Sequence, residues 1–84
     1  MAVEFDRAKD AANVEKHGLS LALAAELEIR AVLVDDRDYD ETRYRAFGTI
    51  GDAPYCLVFT WRSGVVRAIS LRRAHLKEYR RHVG

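Results

Sequence analysis

At 84 residues the chain has room for one small domain, residues 1–84, and a hydrophobic fraction of 49% is enough to give it a core. A single cysteine excludes an internal disulfide, and no apolar run reaches the roughly 20 residues of a membrane-spanning helix. The net charge of +1 conceals an asymmetry, since residues 1–61 hold seven Lys/Arg against twelve Asp/Glu while residues 62–84 hold seven Lys/Arg against Glu78 alone.

Val3-Glu4-Phe5 is a short apolar start. Asp6 is a good N-cap for a helix from about Arg7 to Lys16, whose apolar face is mostly alanine: Ala8, Ala11 and Ala12. Lys16 and His17 fall in the last turn, where cations suit the helix dipole, and Gly18 suits the left-handed residue that ends helices. Ser20 then caps a second helix, about Leu21 to Glu28, offering Leu21, Ala24, Ala25 and Leu27 to the core.

Strands are expected at Ile29–Val34, Arg43–Ile50, Tyr55–Trp61 and Val65–Leu71. Asp35–Glu41 reads as an acidic loop, and Gly51-Asp52-Ala53-Pro54 and Ser63-Gly64 read as turns. Such short connections make the last three of these strands an antiparallel meander. A last helix, about His75–Val83, places Leu76, Tyr79 and Val83 at helical spacing. The predicted fold class is α+β in the order ααββββα: two N-terminal helices, a four-stranded, mostly antiparallel sheet and a C-terminal helix.

Cys56 sits in the apolar run Tyr55–Phe59 and reads as a buried thiol, which suits a reducing cytoplasm. No cationic stretch followed by an apolar core opens the chain, so no signal peptide is expected. The last predicted strand carries the unusual signal. Arg67, Arg72 and Arg73 interrupt its Val- and Ile-rich run, and a core strand tolerates arginine only at a cost unless it is paired. The basic end is then either a solvated helix face or a patch for a polyanion, and arginines inside a strand favour the second.

Three segments in register resemble the BrnT toxins of the BrnT/BrnA toxin–antitoxin systems. The first is Phe5-Asp6-x-x-Lys9-x-x-x-Asn13-x-x-Lys16-His17-Gly18-Leu19-Ser20. The second is Asp38-Tyr39-Asp40-Glu41-x-Arg43, followed by Gly48 and an apolar strand. The third is Arg67-x-Ile69-Ser70-x-Arg72-Arg73-Ala74 with Glu78. The chain departs from that pattern at Leu21, His75 and His82. The resemblance implies a RelE-like fold and RNA cleavage that needs no metal or other cofactor and arrests translation. It also implies a hetero-oligomer with a DNA-binding, BrnA-like antitoxin that neutralises the toxin.

Metal-free RNA cleavage requires a base for the 2′-hydroxyl, an acid for the leaving oxygen and positive charge on the phosphate. Arg67 and Arg72 are the candidates for the charge, because the guanidinium fork matches phosphate oxygens. In a regular strand Arg67 and Arg73 share a face with Ile69 and Leu71 while Arg72 points the other way. Arg67 and Arg72 converge only if the strand bends or ends near Leu71. Glu78 is either a capping-box glutamate three residues after His75, or a general base or partner of an arginine. His17 is either a helix-terminal cation or the acid–base group. Lys9, Lys16, Arg43, Arg73 and Tyr79 complete the candidate RNA contacts. No metal is expected: Asp36, Asp38 and Asp40 match the first ligands of a calcium loop, but Glu41 stands where its glycine belongs and Phe47 where its last glutamate belongs. The alternative is a non-catalytic module that binds RNA or protein on the same scaffold.

Overall fold

The computed structural model describes residues 1–35 and 41–84. In chain order these form β1 (Val3–Glu4), α1 (Arg7–His17), a 3₁₀ helix (Leu21–Glu26), β2 (Glu28–Asp35), β3 (Arg43–Ile50), β4 (Ala53–Arg62), β5 (Val65–Arg73) and α2 (Leu76–Val83). The strands make one sheet in the order β1-β5-β4-β3-β2. β3 to β5 form the expected antiparallel meander, β2 extends it antiparallel to β3, and β1 adds to β5 in parallel through Val3↔Val66 and Glu4↔Arg67. The sheet therefore has five strands and is mixed, not four-stranded. Two residues are too few to show a hydrophobic period, which is why β1 read only as an apolar start.

The second helix is a 3₁₀ helix of six residues, with bonds from Leu23 N–H to Ser20 C=O and from Leu27 N–H to Ala24 C=O, at 3.1 Å each. Only a short segment separates its cap from β2, and runs of this length favour three residues per turn. Leu21 and Ala24 are its buried residues, Leu27 just beyond its end is buried at the same spacing of three, and Ala25 is exposed.

The α1 caps match the sequence. Asp6 accepts from Ala8 N–H at 2.7 Å and Lys9 N–H at 3.3 Å, and these bonds hold its carboxyl below its ordinary pKa. Gly18 closes the helix at φ 72°. The packing does not match. Ala8, Ala11 and Ala12 are exposed, and the one buried residue of α1 is Asn13. α1 lies along the edge of β5 instead of on a face of the sheet, so what holds it is polar. Asn13 Oδ1 accepts from Leu71 N–H at 3.0 Å, and its Nδ2 donates to Leu71 C=O at 2.9 Å and Leu19 C=O at 2.8 Å.

Each sheet face carries a core. On one face Ala46, Tyr55, Leu57, Phe59, Val66 and Leu71 pack with the 3₁₀ helix. On the other, Phe47, Cys56 and Ala74 lie against Tyr79 and Val83 of α2, with the Phe47 and His82 rings stacked at 4.8 Å. Leu76, expected on that face of α2, is 57% exposed. Gly48 is required by close approach, because a Cβ there would collide with the Glu28 carbonyl where the β2–β3 ladder shifts register.

Two substitutions test these contacts. Asn13→Ala strands buried backbone groups of β5, at about 1–3 kcal/mol each, and Gly48→Ala forces β2 outward at a similar cost. Each should lower the melting temperature by at least about 4 °C. A smaller change for either, by calorimetry, would show that its contact is dispensable.

Candidate active site

The face of the sheet beside α2 holds a charged cleft, and a bulge in β5 creates it. Phe59 pairs with Ala68 and Val58 with Ser70, so Ile69 is an extra residue in β5. The alternation of faces reverses there: Val66 and Ala68 before it and Leu71 after it all enter the same core. Arg67, opposite Thr60, and Arg72, opposite Cys56, consequently share the other face. They stand five residues apart, on the order of 15 Å along the strand, too far to grip one phosphate together.

The cleft has a volume of about 520 Å³ and a floor of Val58, Ile69 and Ser70. Asp35, Arg43, Arg45 and Arg72 stand around it, and His17 reaches it from the end of α1. A second cleft of about 440 Å³ continues past His17 and Arg72 to His75 and Glu78. A third, of about 210 Å³, runs along α1 past Lys9, Asn13 and Lys16 and shares His17 and Ser70 with the first. His17 borders all three.

Arg72 and Glu78 form a fork-to-fork pair, with Arg72 Nη1 donating to Glu78 Oε1 at 2.9 Å and Nη2 to Oε2 at 3.1 Å. Glu78 is spent on this pair; His75 caps α2 by backbone geometry alone, without a side-chain bond. The Arg72 guanidinium holds the Glu78 carboxyl below its ordinary range, while the pair raises Arg72 further. Desolvation pushes His17 down, and the neighbouring Lys16 and Arg72 charges push it further, so the imidazole is neutral at neutral pH. Burial pushes the Cys56 thiol up, which leaves it an unreactive core group.

The other sequence candidates are dispersed. Arg67 lies 3.6 Å from Glu4 of β1 and lines none of the three clefts. The Arg73 guanidinium lies over the Tyr55 ring, 5.4 Å from its centre. Tyr79 packs against the core beneath α2. Asp36, Asp38 and Asp40, and with them the calcium-loop comparison, fall outside the described residues. Among the described residues no three His, Cys, Asp or Glu side chains converge.

Asp35, Arg45, Ser70 and Asn13 were not singled out as site residues. Arg45 carried the same signal as the β5 arginines, a charge set between the apolar neighbours Tyr44 and Ala46 within a strand. Asp35 is the cross-strand neighbour of Arg43, which only the register reveals.

Residues 5–78 match the family model described as the ribonuclease toxin BrnT of type II toxin–antitoxin systems. Among solved structures, the chain is similar to the crystal structure of the Brucella abortus ribonuclease toxin BrnT, with 26% identity and a TM-score of 0.65 over 89% of this chain and 97% of that one. No curated protein matches it.

The pKa directions predict a pH signature. The stabilisation from Glu78 is complete above the ordinary carboxylate value of 4.5 and is lost as pH falls towards its depressed folded value. Melting curves of the wild type and Glu78→Gln should therefore differ most at neutral pH and draw together as pH falls below 4.5. His17 resists protonation in the fold, so it destabilises below its ordinary 6.5, and His17→Gln should flatten the loss of stability as pH falls below 6.5. Parallel curves for all three proteins would contradict both assignments.

Proposed function

The chain belongs to the BrnT ribonuclease-toxin family of type II toxin–antitoxin systems, and from that premise we propose that it is itself an endoribonuclease, cleaving RNA without a metal ion in the cleft between α1 and the sheet and so arresting translation. The observation that carries this is the meeting of a neutral imidazole, His17, with a fixed guanidinium, Arg72, in one open cleft.

In this mechanism His17 takes the proton from a 2′-hydroxyl, for which a neutral imidazole is suited. The 2′-oxygen attacks the adjacent phosphorus, the bond from phosphorus to the 5′-oxygen of the next nucleotide breaks, that oxygen takes a proton from solvent water, and a cyclic phosphate remains. Arg72 stabilises the charge that develops on the phosphate. Glu78 acts as its positioning residue: both carboxylate oxygens grip the guanidinium, and a low pKa makes Glu78 a poor base. Lys9 and Lys16, along the neighbouring groove, take phosphates on one side of the scissile bond. Arg67, about two phosphates further along β5, takes one as a flanking contact instead of a catalytic one.

Membership of a type II system brings a protein antitoxin as partner. We take it to be a DNA-binding, BrnA-like protein that forms a hetero-oligomer with this chain in the cytoplasm, where RNA and a reduced Cys56 are both at home. The +6 balance of residues 62–84 favours an acidic or amphipathic antitoxin segment over Arg72 and its neighbours.

Purified protein should cleave single-stranded RNA in excess chelator. Arg72→Ala should lower the rate about 10²–10³-fold and His17→Ala about 10²–10⁴-fold, while Arg67→Ala weakens substrate binding and leaves most of the turnover rate. The acid limb of the wild-type rate should lie below pH 6.5, because His17 is depressed. An absolute need for a divalent ion would remove the metal-free mechanism. Full activity in both Arg72→Ala and His17→Ala would remove this site.

A further inference from the structure

Besides Arg72 the cleft is lined by Arg43, the cross-strand neighbour of Asp35, and by Arg45, and the mechanism above uses neither. We propose that Arg45 is the second phosphate-binding arginine of the site, working with Arg72 from opposite sides of Val58; this deepens the ribonuclease reading and rests on it. On β4, Val58 pairs with Arg45 of β3 on one side and with Ser70 of β5 on the other. Arg72 follows Ser70 on the same face, opposite Cys56. Both guanidiniums thus border one cleft with an apolar floor between them.

The two arginines differ in what their donors do. Arg72 has committed both terminal nitrogens to Glu78 at 2.9 and 3.1 Å. It is a charge of fixed position with few donors to spare. The Arg45 guanidinium has no hydrogen bond or ion pair among the described residues, and its Nε is shielded from solvent without a partner. That Nε keeps an unmet donor until an acceptor reaches it. Glu78 feels the Arg45 charge, but its oxygens already belong to Arg72. The anion that fits comes with the substrate. A phosphodiester offers two non-bridging oxygens to a guanidinium fork, and those oxygens gain charge as the 2′-oxygen attacks. Arg72 then supplies a preset field, and Arg45 supplies the hydrogen bonds.

The test separates binding from cleavage. A short RNA made uncleavable by 2′-deoxy substitution is titrated across a salt series against the wild type, Arg45→Gln, Arg45→Lys and Arg72→Gln. Arg45→Gln should bind about tenfold more weakly. Its slope of log K against log salt should fall by about 0.7, the share of one phosphate contact on a single strand. Arg45→Lys should restore the slope without the full affinity, because an ammonium lacks the fork. The melting temperature of Arg45→Gln should stay level or rise, since an unpaired charge has gone. A slope and affinity unchanged in Arg45→Gln but shifted in Arg72→Gln would overturn the proposal and leave the ribonuclease reading intact. A large fall in melting temperature would reassign Arg45 to structure and overturn it too. Wild-type binding without cleavage of the all-ribose RNA would remove the ribonuclease reading, while the Arg45 assignment would stand on its slope. Absence of wild-type binding would overturn both.

Discussion

The side-chain amide of Asn13 holds the geometry of this protein together. It has the donor and acceptor of a peptide group, and it uses them as a strand would, one bond each to the C=O and N–H of Leu71. β1 covers the edge of β5 only at Val66 and Arg67, so further along the edge would otherwise present open backbone groups. The amide supplies a single rung there, and its third bond, to Leu19 C=O, fixes the turn that follows α1. Asn13 lies one helical turn before His17, and Leu71 precedes Arg72. One side chain therefore sets the distance between the imidazole and the guanidinium. An apolar helix face could slide by an ångström at little cost, whereas directional hydrogen bonds to a buried backbone cannot.

The bulge at Ile69 performs the complementary task within β5. Without it Arg72 would follow Leu71 and Arg67 in strict alternation and point into the core beneath the 3₁₀ helix. The extra residue lets the strand keep Val66, Ala68 and Leu71 in that core and still deliver Arg67 and Arg72 to the opposite face. It also places Ser70 in the wall of the cleft, where a regular strand would have turned it away.

These two features mark where the sequence was legible and where it was not. Period-two runs and turn residues located the four long strands, and capping chemistry located both ends of α1, because these signals act between near neighbours in the chain. Arg72 and Glu78, six residues apart across a strand–helix junction, were recognisable as possible partners for the same reason. The alanine face of α1 misled, since small residues permit close packing on a face but do not require it. What fixed α1 was a contact across 58 residues, for which a lone Asn offers no periodic signal. The bulge was equally hidden: the sequence showed that Arg67 and Arg72 required a break in alternation to meet, but nothing in Ile69 marks it as the unpaired residue. Arg45 was overlooked although it interrupted a strand between apolar neighbours.

The electrostatics of the cleft link binding to chemistry. Desolvation and the charges of Lys16 and Arg72 keep His17 neutral, and the same positive field would draw in a phosphodiester. A bound phosphate changes the balance. Its charge offsets Arg72 as His17 sees it, so the imidazole becomes more willing to accept a proton when substrate is in place. In the proposed mechanism the field keeps His17 unprotonated before binding, and a bound phosphate partly cancels that field and makes the base stronger. Glu78 fixes Arg72 while offsetting part of its charge, and a carboxylate gripped by both oxygens does not also approach the imidazole. In the proposed mechanism the arginine that binds the phosphate is thus also the group that readies the histidine.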